Sequence, residues 1–266
     1  MKKLSKKTLE EWVLKIFLPL VFFAVLLAVW GLLAKNISSF PGPSDTLASL
    51  VDKLSDPLYV NSENDKGIFW QLLNSLARVF GGFFLAVLVG VPLGIAVGMS
   101  KYVHWMLNPF IQILKPVSPL AWLPLALLVF KEINATAILV IFITSIWPII
   151  ANTALGVKSV SEDYLNVAKV LNFNALEKVF KIILPVAIPY IFTGMRLSLG
   201  IGWLVIVAAE MLTGGIGIGF WIWDEYNNLN YTSIIVGIVI VGVVGFILDL
   251  IMGVIANKFD YRSHGA

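Results

Sequence analysis

Long apolar runs recur along the chain, and they predict helices that cross a membrane. The hydrocarbon core of a bilayer is about 30 Å thick, and a helix needs about 20 apolar residues to span it. Runs of about this length, almost free of charged residues, alternate here with more polar segments. The pattern predicts six spans over residues 12–34, 68–99, 105–130, 135–157, 183–212 and 232–256.

The first of these runs could also belong to a secretory signal. Its uncharged core, Ile16–Ala34, is 19 residues long. The apolar region of a signal peptide usually has only about 7–15 residues. The length therefore favours a first transmembrane helix that the protein retains.

The composition agrees with a membrane protein and excludes several kinds of chemistry. Hydrophobic residues make up 59% of the 266 residues and charged residues only 13%, with a mean hydropathy of +0.89. A soluble domain carries about 25% charged residues. The net charge of +3 is small and dispersed, which does not indicate nucleic acid as a partner. Because the chain has no cysteine and only two histidines, disulfides, thiol catalysis and a metal site are not expected.

The lysines and arginines between the spans predict the orientation. If the N-terminus is cytoplasmic, 12 of them fall inside and four, Lys35, Lys53, Lys66 and Lys131, fall outside. Cytoplasmic loops of membrane proteins carry the excess of positive charge. Both termini and the segment 158–181 are therefore expected in the cytoplasm.

Two segments that this orientation places outside have distinctive patterns. Residues 35–67 include an amphipathic stretch, Asp45–Leu54, which is expected to lie flat on the outer interface. Residues 213–231 combine four glycines with five aromatic residues. Since glycine allows unusual backbone angles and aromatic rings favour the interface, this segment is either a tight turn beside an aromatic belt or a loop that caps a pore.

Prolines in and beside the third span predict a broken helix. They are Pro109, Pro116, Pro119 and Pro124. Each removes a backbone donor, and the freed carbonyls need protein or water around them at membrane depth. A broken helix in this position points to a transport pathway, and a kinked packing helix is the alternative.

Few ionisable residues lie within the predicted spans, and those of interest are Arg78, Lys115, Arg196, Glu210 and Asp249. A charge at the bilayer centre costs about 2.5–3.5 kcal/mol, so each is expected to have a partner or a function. Arg78 is expected to reach the outer interface. Glu210 lies at the outer end of the fifth span, beside the glycines.

Lys115 and Arg196 are the candidates for binding an anion in the pathway. Lys115 lies at the break in the third span and Arg196 lies well inside the fifth, and neither has an acidic residue four positions away. A guanidinium offers a planar pair of donors to an oxyanion. The alternative for Arg196 is an ion pair with Asp249 that joins spans five and six. The candidate pathway set is completed by Trp122, Trp203 and Glu210.

The charged segment between the fourth and fifth spans predicts two short cytoplasmic helices. Ser159 and Glu162 have the spacing of a capping box at the start of the first. A turn at 172–174 separates it from a second helix, Ala175–Ile183, which is expected to stop at Pro185.

The first of these helices is amphipathic. Leu165, Ala168 and Leu171 fall on one face of it. Burial of that face against another protein is the natural use, and a hairpin resting on the membrane interface is the alternative.

The same segment resembles a cytoplasmic loop of the permease subunits of bacterial ABC importers. That loop has the form E-A-A, three residues, G, nine residues, I-x-L-P. Here NVAKVLN at 166–172 is followed by nine residues and then by IILP at 182–185, with Asn and Val in place of the Glu and the first Ala, and Asn in place of the Gly. The candidate ATPase-coupling residues that the resemblance implies are Asn166, Val167, Ala168, Asn172, Leu184 and Pro185.

The resemblance extends beyond this loop. The segments 75–100, 113–130 and 190–229 are similar to the nitrate, bicarbonate, sulfonate and taurine branch of these permeases. VAAEMLTGGIGIGFWIWDEYN, within the last segment, looks most like the nitrate and bicarbonate members.

What the resemblance implies is an all-α polytopic membrane protein with the type I ABC importer permease (MetI-like) fold, about six transmembrane helices and a cytoplasmic coupling helix. Residues 1–67 would form an N-terminal transmembrane helix and an external amphipathic segment. Residues 68–258 would form the permease core domain, with the coupling loop at 158–181. Residues 259–266 would form a cytoplasmic tail.

The resemblance also implies partners and a location. Two permease copies would form a homodimer in the bacterial inner membrane, with two cytoplasmic ATPase subunits and an external substrate-binding protein. ATP and Mg would be bound by the ATPases, because this chain lacks the G-x-x-x-x-G-K-[ST] phosphate loop. The expected cargo is a small oxyanion, with nitrate (or nitrite) favoured over bicarbonate, cyanate or an alkanesulfonate such as taurine.

Two other classes of protein compete with an importer permease. A secondary anion transporter would need a coupling-ion site of several acids, for which Glu210 and Asp249 alone are thin support. A membrane enzyme would need a nucleophile with a base, an acidic cluster or a cofactor motif, and no predicted span carries one.

Overall fold

The fold is a bundle of long helices, seen in a computed structural model that describes residues 6–37, 39–62 and 65–259. In chain order the helices are α1 (Lys6–Asn36), α2 (Pro43–Ser55), α3 (Ile68–Met99), α4 (Lys101–Leu114), α5 (Leu123–Phe130), α6 (Ile133–Lys158), α7 (Glu162–Val170), α8 (Ala175–Lys178), α9 (Leu184–Thr213), α10 (Ile218–Asn227) and α11 (Tyr231–Lys258). A 3₁₀ turn at Pro119–Trp122 precedes α5, and a π turn at Val179–Ile183 joins α8 to α9. Most of the predicted tail at 259–266 lies outside the described residues.

Five of the six predicted spans are confirmed as single apolar helices, and the third forms a bent pair of helices. Within the described residues five helices are long and apolar enough to cross a membrane by themselves. Helix α4 and the stretch Pro119–Phe130 pass the same test only as a pair, bent by 90°. The prolines explain the break, since Pro116 and Pro119 lie in or beside the four-residue gap and neither can donate a helical hydrogen bond.

Helices α3 and α6 pack closely along a row of small residues. Gly82, Ala86, Gly90, Gly94 and Gly98 recur every four positions and face α6. A β-carbon added at Gly94 would lie only 2.5 Å from the β-carbon of a residue on α6. Small residues at this spacing let helix backbones approach inside a membrane, where burial of apolar surface drives little association.

The remaining core lies where α9 meets α10 and α11. Trp203 and Ile206 of α9 are buried against Trp221 and Ile222 of α10 and Val236 of α11. Helix α10 therefore belongs to the protein interior on one side. The other side carries Trp223 and Tyr226, which are about half exposed, so the aromatic residues divide between core and surface.

The first two helices lie at the edge of this bundle. The side chains of the span Val13–Asn36 are exposed to the surroundings of the chain, and Trp30 anchors its end by donating from Nε1 to the carbonyl of Pro41 at 2.9 Å. The predicted amphipathic helix forms as α2, with Leu50 packed on the core. Leu47 on the same helix is exposed, and its contact with the outer interface stays a prediction.

The expectation that Pro185 stops the second cytoplasmic helix is wrong. The helical path runs without interruption from Ala175 to Thr213 and forms one long candidate span. Proline at the first or second position of α9 has no intrahelical donor to lose, and the π turn before it widens the helix. The second helix of the hairpin is therefore continuous with the fifth span.

Candidate functional site: ion pairs, a broken helix and a polar hairpin

A buried ion pair joins α3 to α9 near the loop that contains the glycines. The Nη1 of Arg78 donates to Oε1 of Glu210 at 2.7 Å, and both side chains are almost fully removed from solvent. The Nε of Arg78 donates to Oδ1 of Asn134 at the start of α6. The expectation that Arg78 reaches the interface is wrong, because its guanidinium is held inside the protein by these partners.

The carboxylate of Glu210 also organises the backbone of the loop after α9. Its two oxygens accept hydrogen bonds from the Ser75 hydroxyl at 2.9 and 2.8 Å, and Oε2 accepts one from the backbone N–H of Gly219 at 3.0 Å. The Gln71 side chain accepts the N–H of Gly217. The backbone amides of Gly217 and Gly219 lie at the start of α10, where they have no acceptor within the helix. The network satisfies them within the protein.

The glycines of this loop are required by close contacts and by backbone conformation. A β-carbon at Gly217 would overlap the carboxyl group of Glu210, and one at Gly219 would overlap the carbonyl of Val207. Gly214 and Gly215 have φ values of 78° and 86°, which favour glycine. The segment 213–231 is therefore a tight turn followed by a helix that packs on the bundle.

The break between α4 and α5 exposes one charge and buries an unpaired donor. Lys115 follows the last residue of α4 and is exposed, and its ammonium forms no ion pair or hydrogen bond with another described residue. The Nε1 of Trp122 is buried and has no acceptor. A buried polar atom without a partner is uncommon in a folded protein. Both groups can therefore donate to a ligand or a neighbouring chain.

Arg196 and Asp249 form the second ion pair within the spans. The Nε and Nη2 of Arg196 each donate to one carboxylate oxygen of Asp249, both at 2.6 Å. The side chains are 44% and 48% exposed in the single chain. Gly253, one turn further along α11, leaves space beside the guanidinium. The structure therefore contains the Arg196–Asp249 ion pair that the sequence offered as the alternative. The pair lies on an exposed face of the single chain.

Trp203 lies in the core. It is 2% exposed, and its Nε1 donates to the carbonyl of Val241 on α11 at 3.0 Å. Of the five candidate pathway residues, Glu210 and Trp203 thus have their polar atoms satisfied inside the chain. Lys115 and Trp122 have no polar partner among the described residues, and Arg196 is paired on a surface.

The hairpin between the fourth and fifth spans begins two residues later than the capping-box spacing predicts. Helix α7 starts after Ser161, and Ser159 instead ends α6, so the predicted capping box is wrong. A capping box forms at the second helix, where Asn174 accepts the N–H of Glu177 and the Glu177 carboxylate accepts the N–H of Asn174. This box fixes the turn between the two short helices.

Asn172 ends α7 in a left-handed conformation, with φ 52°. The N–H of Phe173 donates to the carbonyl of Ala168, and the N–H of Asn172 donates to that of Lys169. This is a Schellman ending, which usually has glycine at the left-handed position and sometimes asparagine. The departure from glycine noted in the sequence therefore preserves the backbone geometry of the turn.

Substitutions at Asn172 test this explanation. Asn172→Gly should leave stability nearly unchanged, whereas Asn172→Val should destabilise the hairpin by about 1–2 kcal/mol because a β-branched residue is strained at positive φ. Thermal unfolding of the purified protein in detergent measures the difference. Equal unfolding temperatures for the two variants would contradict the explanation.

Around this turn the hairpin presents an apolar surface. Ala168 is 2% exposed, but Val167, Val170 and Leu171 are between 52% and 80% exposed and line a shallow depression with Asn166. We call these four residues, Asn166, Val167, Val170 and Leu171, the hairpin surface. Large exposed apolar side chains at the tip of a polar hairpin are typical of a protein-binding site.

A cavity of about 570 Å³ opens beside the glycine turn. We call it the loop basin, and its lining includes Lys66, Asn74, Arg78, Lys131, Glu132 and Asn134. Glu132 begins α6, and hydrogen bonds from the backbone amides of Ala135 and Asn134 hold the pKa of its carboxyl below the ordinary value. The basin thus contains three cationic side chains and one ionised carboxylate at its rim.

The Arg78–Glu210 network is not predicted from the sequence. The two residues are 132 positions apart, so no local pattern pairs them. A signal was nevertheless present on α3, because Gln71, Ser75 and Arg78 are spaced to share one helix face within an apolar span. A polar stripe of this kind indicates a buried partner.

A bundle of apolar helices with one span broken at membrane depth, and with a polar hairpin rigidly joined to the next span, is the architecture of a multi-pass membrane permease. Residues 87–261 match the family described as binding-protein-dependent transport system inner membrane component. The chain belongs to that family.

Individual relatives agree with this assignment. The chain is 46% identical over 238 residues to the nitrate import permease protein NrtB of Leptolyngbya laminosa, covering 90% of this chain and 85% of that one. It is 42% identical over 248 residues to the bicarbonate transport system permease protein CmpB of Synechococcus elongatus, covering 91% and 89%.

A solved structure supports the fold. An inward-facing MetNI methionine ABC transporter chain superposes with a TM-score of 0.63 at 15% identity, covering 72% of this chain and 97% of that chain. The predicted type I importer permease fold is confirmed.

Proposed function

We propose that this chain is the permease subunit of an ATP-driven importer and forms the translocation pathway for nitrate. The observation that carries the proposal is the 46% identity to a nitrate import permease over nearly the whole length of both chains. Bicarbonate is the second candidate, because a bicarbonate permease is 42% identical over a similar length. Both ions are small, planar and monovalent, so one pathway chemistry suits either.

The face that carries Arg196 and Asp249 supports a pathway between two copies of the chain. Both side chains are nearly half exposed although they lie within the spans. A charge facing lipid at this depth costs about 2.5–3.5 kcal/mol, so this face adjoins water or protein. A homodimer with the pair at its interface meets that requirement and gives an oxyanion access to the guanidinium.

Lys115 and Trp122 would contribute from the broken helix. An ammonium and an indole N–H without partners are suitable donors to an anion that has left its hydration shell. Trp203 and Glu210 would act indirectly, since their polar atoms are engaged within the chain. Their role would be to hold the helices that line the pathway.

The hairpin surface would dock on a cytoplasmic ATPase. Two ATPase subunits would bind ATP and Mg, and an external binding protein would deliver the anion. The hairpin and both termini would then face the cytoplasm of a bacterial cell, with the protein in the inner membrane. The rigid continuity from Ala175 to Thr213 supports this arrangement, because movement of the hairpin is transmitted directly to the fifth span.

Reconstituted transport tests the choice of anion. The complete transporter with its binding protein, in proteoliposomes, should take up nitrate and hydrolyse ATP faster in its presence. Bicarbonate, nitrite, cyanate and taurine are compared at equal concentration. Stimulation by bicarbonate alone would move the assignment to the second candidate, and stimulation by none of these would refute the proposed function.

The role of Arg196 can be separated from that of its ion pair. If Arg196 attracts the anion, Arg196→Lys should lower uptake several-fold with normal assembly, because a lysine loses the planar pair of donors. Asp249→Asn is the matched control, since it removes the carboxylate charge of the ion pair but keeps the guanidinium. Equal losses of folded protein in both variants would instead identify a purely structural pair.

A further inference from the structure

The lining of the loop basin includes none of the candidate pathway or ATPase-coupling residues, and it concentrates positive charge. Lys66 and Lys131 approach it from two loops, and Arg78 forms part of its wall. The carboxylate of Glu132 is at the rim, but its two oxygens accept hydrogen bonds from the first amides of its own helix. That carboxylate is therefore satisfied locally, and the two lysine side chains form no ion pair with it or with any other described residue.

Arg78 supplies the most specific feature of the basin. The residue is 95% buried, since 5% of its surface is exposed. Its Nε and Nη1 are engaged by Asn134 and Glu210, whereas Nη2 forms no hydrogen bond with any described residue. Nη2 lies 3.9 Å from the position of a β-carbon on Gly215, which also lines the basin. A buried guanidinium thus directs a free donor toward the cavity.

Lys131 adds a second feature that the backbone does not explain. It has φ 53°, a conformation in which glycine or asparagine would be less strained. A function for the lysine ammonium would explain why a lysine occupies this strained position. The side chain forms no ion pair or hydrogen bond with the described residues.

We propose that the loop basin is a binding site for a small inorganic oxyanion, which Arg78 contacts through Nη2 while Lys66 and Lys131 neutralise its charge. The site is distinct from the Arg196 face and lies at the opposite end of the helices from the hairpin. It rests on the proposed function only in taking nitrate as the probe. It would hold an anion at the mouth of the permease before entry to the pathway.

The chain has no cysteine, so a single introduced thiol reports on the basin cleanly. We would label Asn74→Cys in the complete transporter in nanodiscs, without binding protein or ATP, using anionic and cationic methanethiosulfonate reagents of equal size. The labelled chain is quantified by mass spectrometry. Nitrate is expected to slow labelling several-fold, and the same concentration of gluconate at equal ionic strength should not.

Neutralising the lysines tests the electrostatic part. Lys131→Gln and Lys66→Gln should each slow the anionic reagent about two- to threefold and weaken protection by nitrate, as expected when one nearby unit charge is removed from a site open to water. Lys53→Gln, on α2 outside the basin, is the matched control. It should change neither the labelling rate of the anionic reagent nor the protection by nitrate. Arg78→Lys is added if it assembles, and it should abolish protection.

Protection that is equal in Lys53→Gln and Lys131→Gln, or equal with gluconate, would overturn the site. No protection at 50 mM nitrate would overturn it as well. Because labelling is measured without transport, these failures leave the proposed function standing. Conversely, normal protection in a transporter that takes up no nitrate would refute the proposed function and leave the basin site in place.

Discussion

Glu210→Ala is expected to abolish the folded protein or to destabilise it by about 3–5 kcal/mol. The substitution leaves the Arg78 guanidinium buried without its counter-charge, which is the costly way to break a buried ion pair. It also removes the acceptor for the N–H of Gly219. Since proteins are stable by only about 5–15 kcal/mol, such a loss is visible as low yield and early thermal unfolding. Size-exclusion chromatography and thermal unfolding in detergent measure both.

A double substitution distinguishes the ion pair from general damage. Arg78→Met combined with Glu210→Met removes both charges, so the double variant should be more stable than Glu210→Ala although still weaker than the native protein. Glu225→Ala is the control for loss of an acidic residue near the same loop, because Glu225 makes only a 3.7 Å contact with Lys53. Native stability in Glu210→Ala would show that the network contributes little.

Apolar periodicity and proline chemistry predict the scaffold because both are local. The second span begins and ends at the predicted residues, 68–99. The break in the third span follows from prolines that cannot donate hydrogen bonds at membrane depth. The effect of Pro185 is different, because a π turn accommodates it and the helix continues. That outcome depends on neighbouring packing, which a single sequence does not display.

The residues of the site are harder to predict because their partners are distant. Arg196 and Asp249 are 53 positions apart, and their pairing was foreseen as one of two alternatives since each was a lone charge in an apolar span. The partner of Arg78 is not predicted, because a position near the end of a span is already explained if the side chain reaches the membrane interface. Whether such a charge pairs inside the protein or reaches the interface depends on its burial, which the local sequence does not encode.

Motif spacing identifies the hairpin, and backbone geometry explains its departures. Asn172 keeps the left-handed turn that the family's glycine provides. Ala168, which is 2% exposed, keeps the small side chain needed where α7 packs against the rest of the chain. A bulky residue at Ala168 would therefore disturb the packing of the hairpin itself as well as any docking. An exposed neighbour gives a cleaner test of the coupling proposal.

Val170→Asp is expected to uncouple the transporter while leaving the permease folded. Val170 is 80% exposed at the centre of the hairpin surface, so the change disrupts no internal contact. Against an ATPase, the new carboxylate would be forced into an apolar interface at a cost on the order of 2 kcal/mol or more, and each 1.4 kcal/mol weakens binding about tenfold. Co-purification with the ATPase and substrate-stimulated ATP hydrolysis should both fall at least tenfold.

The matched control places the same charge on an exposed leucine at the other end of the bundle. Leu229 is 68% exposed and has φ 58°, a conformation that aspartate tolerates better than leucine. Leu229→Asp should therefore retain ATPase binding and stimulation, and both variants should unfold at the native temperature. If Val170→Asp keeps native stimulation, the hairpin surface is not where ATP hydrolysis is linked to this chain. If both variants lose stimulation, added charge rather than docking accounts for the effect.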